Sequence, residues 1–99
     1  LTMVVHIVMF KFKDEKKALN IGIAKDMLEG LERPIAELKS MEVGVNFDES
    51  PRAMDLCIYT TFQTQEDLKT YAEHPEHLKV VEFIKSVTLE SKVVDYILE

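Results

Sequence analysis

The chain has 99 residues, of which 46% are hydrophobic, and its formal net charge is −6 at pH 7. This length suits a single domain, and so large an apolar share excludes an intrinsically disordered chain. The 12 basic residues are outnumbered by 18 acidic ones and do not cluster on one predicted face, which argues against a nucleic-acid-binding protein.

The first predicted element is a strand over Met3–Lys13, a segment rich in β-branched and aromatic residues. Successive side chains of a strand point to opposite faces of the sheet. One face of this strand carries Val4, His6, Val8, Phe10 and Phe12. The other face carries Val5, Ile7 and Met9. Because both faces are apolar, we expect each of them to be covered in the folded protein.

A helix is predicted after this strand, with Asp14 as its N-cap. Apolar residues then recur at alternating spacings of three and four, as in an amphipathic helix. These residues are Ile21, Ala24, Leu28, Leu31, Ile35 and Leu38. Pro34 cannot donate a hydrogen bond to the carbonyl of Gly30, so we expect the helix to end near Leu31 and Pro34 to open a short second turn.

Two strands and a second helix follow. We predict strands at Met41–Asn46 and Asp55–Phe62, separated by a loop. Gly44 weakens the first of these strands or marks a bulge in it. Thr64 followed by Asp67 resembles a capping box, so the second helix should begin there.

The second helix is predicted to break in the middle. Pro75 disfavours helical geometry at His74, so the helix should stop there and restart. The buried stripe of the restarted helix is predicted to consist of Leu78, Val81, Ile84 and Val87. Lys92–Leu98 is the last predicted strand.

The predicted order is β-α-β-β-α-β, a ferredoxin-like α+β fold with a four-stranded antiparallel sheet and both main helices on one face. No linker or low-complexity segment divides the chain, so residues 3–99 form one predicted domain. The apolar side chains on the other face of the sheet exceed what a soluble monomer leaves exposed. A second copy of the chain, packed sheet to sheet about a two-fold axis, would cover this apolar face most simply. We therefore predict a homodimer.

The segment Tyr71–His77, YAEHPEH, places two histidines on either side of a proline. In a structural interpretation, His74 caps the restarted helix and His77 packs locally. In a catalytic one, the helix N-terminus and an apolar cavity lower the pKa of His77, which acts as a base while Tyr71 polarises a carbonyl. In a third, His6, His74 and His77 bind zinc. No cysteine or acidic fourth ligand accompanies them, so we predict no metal.

The segments HIVMFKFK, EVGVN and YAEHPEH resemble the stress-responsive A/B barrel domain family, and the resemblance covers nearly the whole chain. It implies a dimeric α+β barrel. One plant branch of that family is a polyketide cyclase with an aldol-type activity. In that branch the tyrosine and the second histidine of Y-x-x-H-P-x-H act in the pocket, which the first-strand histidine lines. The matching positions here are Tyr71, His77 and His6.

The predicted site is a cavity between the sheet and the helices. Its expected catalytic residues are His6, Tyr71 and His77. Its expected ligand-binding residues are Val8, Phe10, Leu28, His74, Leu78 and Val81.

The chain has no glycine-rich phosphate loop, so we predict no cofactor. Cys57 alternates with inward residues of a strand and is expected to be a buried small residue rather than a nucleophile.

Two functions from different classes are therefore predicted. One is a dimeric protein that binds a small hydrophobic carbonyl or phenolic compound, with histidine and tyrosine acid–base catalysis. The other is a non-catalytic dimeric, stress-related module with structural histidines.

The opening segment MVVHIVMF is too short to span a bilayer and lacks the features of a signal peptide. The single cysteine suits a reducing compartment, so the expected location is the cytoplasm, without a membrane partner.

Overall fold

A computed structural model describes residues 2–99 of the chain. Its elements are β1 (Met3–Phe12), α1 (Lys17–Glu29), β2 (Ser40–Val45), β3 (Leu56–Phe62), α2 (Gln65–Glu73), α3 (Pro75–Val87) and β4 (Thr88–Leu98). The strands form one sheet in the order β2-β3-β1-β4, and each neighbouring pair is antiparallel. The predicted ferredoxin-like α+β fold is therefore confirmed. Within residues 2–99, no helix has the length and apolar character needed to cross a membrane.

The start of α1 differs from the prediction. The N-cap is Lys16 rather than Asp14, and Lys16 has a left-handed backbone with φ 52. The backbone carbonyl of Asp14 instead accepts a hydrogen bond from the Lys17 N–H at 3.3 Å. A tight backbone turn thus replaces the predicted side-chain cap. The helix ends at Glu29, slightly before the predicted end, and Pro34 lies beyond it in a turn.

The second helical segment breaks where Pro75 predicts. Thr64 caps α2, because its hydroxyl accepts the Asp67 N–H at 3.0 Å. His74 is extended, with φ −66 and ψ 135, and separates α2 from α3. Pro75 explains this geometry, since its ring disfavours a helical conformation at the preceding residue.

The buried stripe of α3 also differs from the prediction. Val80 and Ile84 are buried, whereas Leu78 is 52% exposed and Val81 is half-buried. The predicted stripe advanced by three residues at every step, which falls short of the 3.6 residues of a helical turn. Such a stripe drifts around the helix, and Leu78 consequently lies away from the core.

Strand β4 begins at Thr88, directly after α3, and not at the predicted Lys92. It pairs with the whole of β1, from Leu98 opposite Met3 to Thr88 opposite Phe12. The added residues show little apolar alternation. They are held in the strand by pairing with β1, which sequence periodicity does not reveal.

The core lies between the helices and one face of the sheet. It consists of Val4, Phe12, Ala24, Leu28, Leu31, Ile35, Leu38, Val43, Leu56, Ile58, Phe62, Tyr71, Val80 and Ile84. We call the opposite face the outer sheet face. Its apolar residues include Met3, Val5, Ile7, Met9, Cys57, Tyr59, Val94, Tyr96 and Leu98. Met3, Met9, Val94, Tyr96 and Leu98 are exposed on it.

Candidate functional site

The rings of His6, Tyr71 and His77 lie close together at the break between α2 and α3. The centroid of the Tyr71 ring lies 4.3 Å from that of His77 and 6.4 Å from that of His6. Phe62 packs against the same tyrosine at 5.1 Å. The fold thus gathers β1, α2 and α3 around one aromatic side chain. We call His6, Tyr71 and His77 the His–Tyr cluster.

The break between the helices rearranges one backbone hydrogen bond. In a continuous helix the Glu76 N–H would donate to the Ala72 carbonyl, four residues earlier. Here the Glu76 N–H donates to Nδ1 of His74 at 3.1 Å. The Ala72 carbonyl accepts instead from Nδ1 of His77, also at 3.1 Å. Two imidazoles therefore replace one helical hydrogen bond, and His74 caps α3, as the structural interpretation predicts.

These two hydrogen bonds assign the proton positions on the imidazoles. A carbonyl oxygen only accepts, so the Nδ1 of His77 carries a proton and Nε2 of the neutral ring keeps its lone pair. The Nδ1 of His74 accepts from a backbone N–H, so the proton of that neutral ring is on Nε2. His77 therefore presents a basic nitrogen that no backbone bond occupies.

Burial lowers the pKa of His77, because a partly apolar environment disfavours the charged imidazolium. The hydrogen bond to Ala72 opposes this shift, and the nearby His6 and His74 reinforce it. This direction agrees with the prediction, and burial rather than the helix N-terminus is its leading cause. The ring is therefore neutral near pH 7, as a general base must be.

An NMR titration should place the pKa of His77 below the ~6.5 of a free histidine. The folded state then binds fewer protons than the unfolded chain below that pH. The contribution of His77 to the free energy of unfolding is thus complete above about pH 6.5 and falls as the pH drops through the folded pKa. In urea unfolding experiments, the free energy of unfolding should fall less on acidification for His77→Gln than for the wild type. A titration midpoint above the free value would contradict this account.

The hydroxyl of Tyr71 is buried and unpaired. The residue is 1% exposed, and its Oη has no hydrogen-bond partner within residues 2–99. Burial raises the pKa of Tyr71, so the phenol stays protonated and can donate. An unsatisfied buried hydroxyl costs about 1–3 kcal/mol, and a ligand oxygen in reach of it would recover that energy.

Asp95 is a residue of this site that the sequence analysis missed. Its carboxylate accepts a hydrogen bond from Nδ1 of His6. Asp95 is paired with His6 across β1 and β4, so the two side chains share one face of the sheet. The available signal was an acidic residue inside the apolar segment KVVDYIL, on a strand that a ferredoxin-like fold places beside β1.

A groove of about 490 Å³ lies between α2 and β4, next to the His–Tyr cluster. Its walls are Val4, Gln65, Leu68, Lys69, Ala72, Asp95, Tyr96 and Ile97. Ala72 and Asp95 are also the hydrogen-bond partners of His77 and His6. His6, Tyr71 and His77 are not themselves among the lining residues, so the groove borders the His–Tyr cluster without containing it. We call it the α2–β4 groove.

The predicted ligand-binding residues fall in several environments, and none of them lines the α2–β4 groove. Val8 and Phe10 are half-buried on the helix-facing side of β1. Leu28 is buried in the core. On α3, Val81 is half-buried and Leu78 is exposed. Contact of these side chains with a ligand stays a prediction.

The histidines do not form part of a recognisable metal centre. In the described chain, residues 2–99, no three or more His, Cys, Asp or Glu side chains are grouped so as to hold a metal ion. The Nδ1 atoms of His74 and His77 are both engaged with the backbone. The geometry of this cluster therefore suits proton transfer better than metal ligation.

Comparison with known proteins decides the family. The model of the family described as Stress responsive A/B Barrel Domain matches residues 4–98. The chain belongs to the stress-responsive A/B barrel domain family. The resemblance drawn from its sequence motifs is therefore confirmed. A search of curated protein sequences gave no match.

Solved structures place this A/B barrel chain among ferredoxin-like proteins. A dimeric protein of unknown function from Bacteroides fragilis is 32% identical, with a TM-score of 0.87 over 95% of this chain and 94% of that one. A dimeric ferredoxin-like protein from Thermobifida fusca is 20% identical, with a TM-score of 0.88 over 98% and 92%. A hydroxynitrile lyase from Passiflora edulis is 18% identical, with a TM-score of 0.87 over 98% and 94%. The last two share the fold alone.

Proposed function

We propose that this stress-responsive A/B barrel protein binds a small hydrophobic carbonyl or phenolic compound at the His–Tyr cluster and acts on it by acid–base chemistry. The observation that carries the proposal is the buried hydroxyl of Tyr71, which has no partner in residues 2–99. It belongs to the ring that packs 4.3 Å from His77. A hydrogen-bond donor beside a neutral base is what proton transfer next to a carbonyl requires.

In this mechanism the Tyr71 hydroxyl donates to the carbonyl oxygen of the substrate. Nε2 of His77 removes a proton from the carbon beside the carbonyl, and the electron pair moves into an enolate. The Tyr71 hydroxyl stabilises the enolate oxygen, and the His77 imidazolium returns the proton to the product. Throughout, Nδ1 of His77 remains bonded to the Ala72 carbonyl, which holds the ring in place.

His6 and Asp95 supply a second polar group on the same side of the sheet. The Asp95 carboxylate engages Nδ1 of His6, which fixes the ring and leaves Nε2 available to a ligand. We assign His6 a role in orienting the bound compound and Asp95 a role in positioning His6. Asp95 also lines the α2–β4 groove, so a compound bound there would contact this carboxylate, which in turn holds His6.

The α2–β4 groove supports a hydrophobic substrate. Val4, Leu68 and Ile97 give it apolar walls, and Lys69 and Gln65 add polar groups on α2. Its volume of about 490 Å³ falls in the range of ordinary small-molecule sites, about 300–1,000 Å³. One protein with this fold is a hydroxynitrile lyase, which supports an enzymatic role for the scaffold.

We further propose that the protein is a homodimer that packs through its outer sheet face. That face exposes Met3, Met9, Val94, Tyr96 and Leu98. A stable interface buries about 800 Å² per partner, and an apolar sheet face of this kind can supply such an area. The 32% identical Bacteroides fragilis protein is described as dimeric.

The second candidate is a non-catalytic dimeric module with structural histidines. It is favoured by the hydrogen bonds that His6, His74 and His77 each make within the chain. In that case the imidazoles serve only the helix break and the contact between β1 and β4. The two candidates differ at Tyr71, since a hydroxyl without a partner in residues 2–99 has no role in a purely structural module.

Exchange of α-protons for deuterium tests the proposed chemistry. With phenylacetone and acetophenone as probes in D₂O, the wild type should exchange faster than buffer by ¹H NMR. Tyr71→Phe should lower the catalysed rate by about 100-fold, the effect of removing an oxyanion donor. Its free energy of unfolding should not fall, because the hydroxyl makes no hydrogen bond within the described residues 2–99. Tyr59→Phe, on the outer sheet face, is the matched control.

Two results would count against the proposal. An unchanged rate in Tyr71→Phe would remove the hydroxyl from the mechanism. If neither probe exchanged faster than buffer, and neither shifted the His77 resonances, the non-catalytic module would be favoured.

A further inference from the structure

The two imidazole hydrogen bonds at the helix break depend on one another through the first turn of α3. His77 is the third residue of α3, and its ring reaches back to the Ala72 carbonyl in α2 at 3.1 Å. The N–H groups in the first turn of a helix have no carbonyl partner within that helix. The side chain of His74 satisfies the N–H of Glu76, the residue directly before His77. The backbone that carries His77 is thus held by the ring of His74.

Without this cap, the Glu76 N–H would turn to one of two other partners. Water would take it as the first turn of α3 frays. Alternatively, the Ala72 carbonyl would take it as in a continuous helix, and His77 would then lose its own partner. Either change releases the imidazole of His77 from Ala72.

The bond to Ala72 decides which nitrogen of His77 is available as a base. A carbonyl that accepts from Nδ1–H keeps the proton on Nδ1 and the lone pair on Nε2. A released neutral imidazole exchanges between its two tautomers, and the Nε2–H tautomer has no lone pair on Nε2. Loss of the cap would therefore misplace the lone pair as well as the ring.

We propose that His74 is a positioning residue that holds His77 in the tautomer and orientation needed for acid–base chemistry. It acts through the Glu76 N–H and the first turn of α3, and in this role it does not touch the substrate. The inference rests on the acid–base function proposed above and adds a residue that determines it. The role requires only a hydrogen-bond acceptor at the N-cap, which neutral histidine supplies through Nδ1.

The imidazole tautomers, measured by long-range ¹H–¹⁵N NMR at about pH 8, where free histidine is neutral, test the inference without a substrate. In the wild type, His77 should be protonated on Nδ1 and His74 on Nε2. His74→Ala removes the acceptor, so the His77 signals should become those of a tautomer mixture. His74→Asn supplies an oxygen that suits an N-cap and should restore the Nδ1–H form.

Thr64→Ala is the matched control, because it removes the cap of the neighbouring helix α2. The tautomer of His77 should be the same in this variant as in the wild type. A general loosening of the helices would instead change the His77 signals in both cap variants, and that result would overturn a specific role for His74.

Deuterium exchange into phenylacetone gives a second readout. His74→Ala should lower kcat by about 10- to 100-fold, the effect of a misplaced catalytic group, with KM near the wild-type value. His74→Asn should recover most of kcat, because the imidazole ring itself is not required. A rise in KM that asparagine does not repair would show that the ring contacts the ligand, and would overturn the positioning role.

The outcomes separate this inference from the proposed function. A wild-type His74 protonated on Nδ1, or a His77 that keeps a single Nδ1–H form in His74→Ala, overturns the positioning role alone. If His74→Ala does not fold, loss of the Nδ1–H form in His74→Asn overturns it equally. A wild-type His77 protonated on Nε2 overturns both proposals. If no probe exchanges while the tautomers respond as stated, the acid–base function fails and the control of His77 by His74 stands.

Discussion

Replacement of His77 by alanine is expected to lower the catalysed deuterium exchange by about 100- to 10,000-fold, the usual contribution of a general base. Nε2 of His77 is the nitrogen that burial keeps unprotonated at neutral pH. The variant also leaves the Ala72 carbonyl without its partner, so the free energy of unfolding should fall by about 1–2 kcal/mol. The dimer should persist, because His77 lies on the helix side of the sheet.

A stability-matched control separates the chemical effect from the structural one. Thr64→Ala removes the cap of α2 and should cost about 1 kcal/mol of stability. Thr64 does not line the α2–β4 groove, so exchange should stay near the wild-type rate. Exchange by ¹H NMR and urea unfolding measure the two quantities. Full activity in His77→Ala would exclude it as the base and favour the non-catalytic module.

Ile7→Lys is expected to dissociate the proposed dimer. Ile7 lies on the outer sheet face between Tyr59 of β3 and Val94 of β4. A lysine there would place an unpaired charge inside the interface, which costs about 3–5 kcal/mol. That cost corresponds to an increase of at least about 100-fold in the dissociation constant.

Light scattering coupled to gel filtration measures this effect at micromolar concentrations. Leu19→Lys is the control, since Leu19 is an exposed residue of α1 and lies outside the outer sheet face. It should leave the dimer intact. A dimeric Ile7→Lys protein, or a monomeric soluble wild type, would contradict sheet-to-sheet packing.

The fold could be predicted from the sequence because its first strand is apolar on both faces and because prolines mark where the helices end or break. Pro75 fixed the break between α2 and α3, and Thr64 marked the start of α2. The predicted element boundaries were wrong where tertiary pairing or the local backbone conformation outweighed the sequence pattern. Lys16 adopts a left-handed turn in place of the Asp14 cap. Thr88 joins β4 only because β1 is there to pair with it.

The candidate site was predictable in part. Tyr71 and His77 are near in sequence, and one local motif implies their proximity. His6 comes from β1, and its placement followed from strand alternation. Asp95 stood out locally only as an acidic residue in an apolar strand, and its contact with His6 depends on the register of β1 and β4. The α2–β4 groove depends likewise on how the helices leave part of the sheet uncovered.

The rearranged hydrogen bonds at the helix break have a consequence for how such proteins diversify. In the proposed mechanism, Tyr71–His77 carries the donor, the base and the backbone carbonyl that holds the base, all within one short segment. The walls of the groove come from distant parts of the chain, including Val4 and Ile97. Substitutions in the walls can therefore alter which compound is accepted without moving the reactive nitrogen. If the proposed mechanism holds, selection can change recognition in the groove walls and retain the reactive segment.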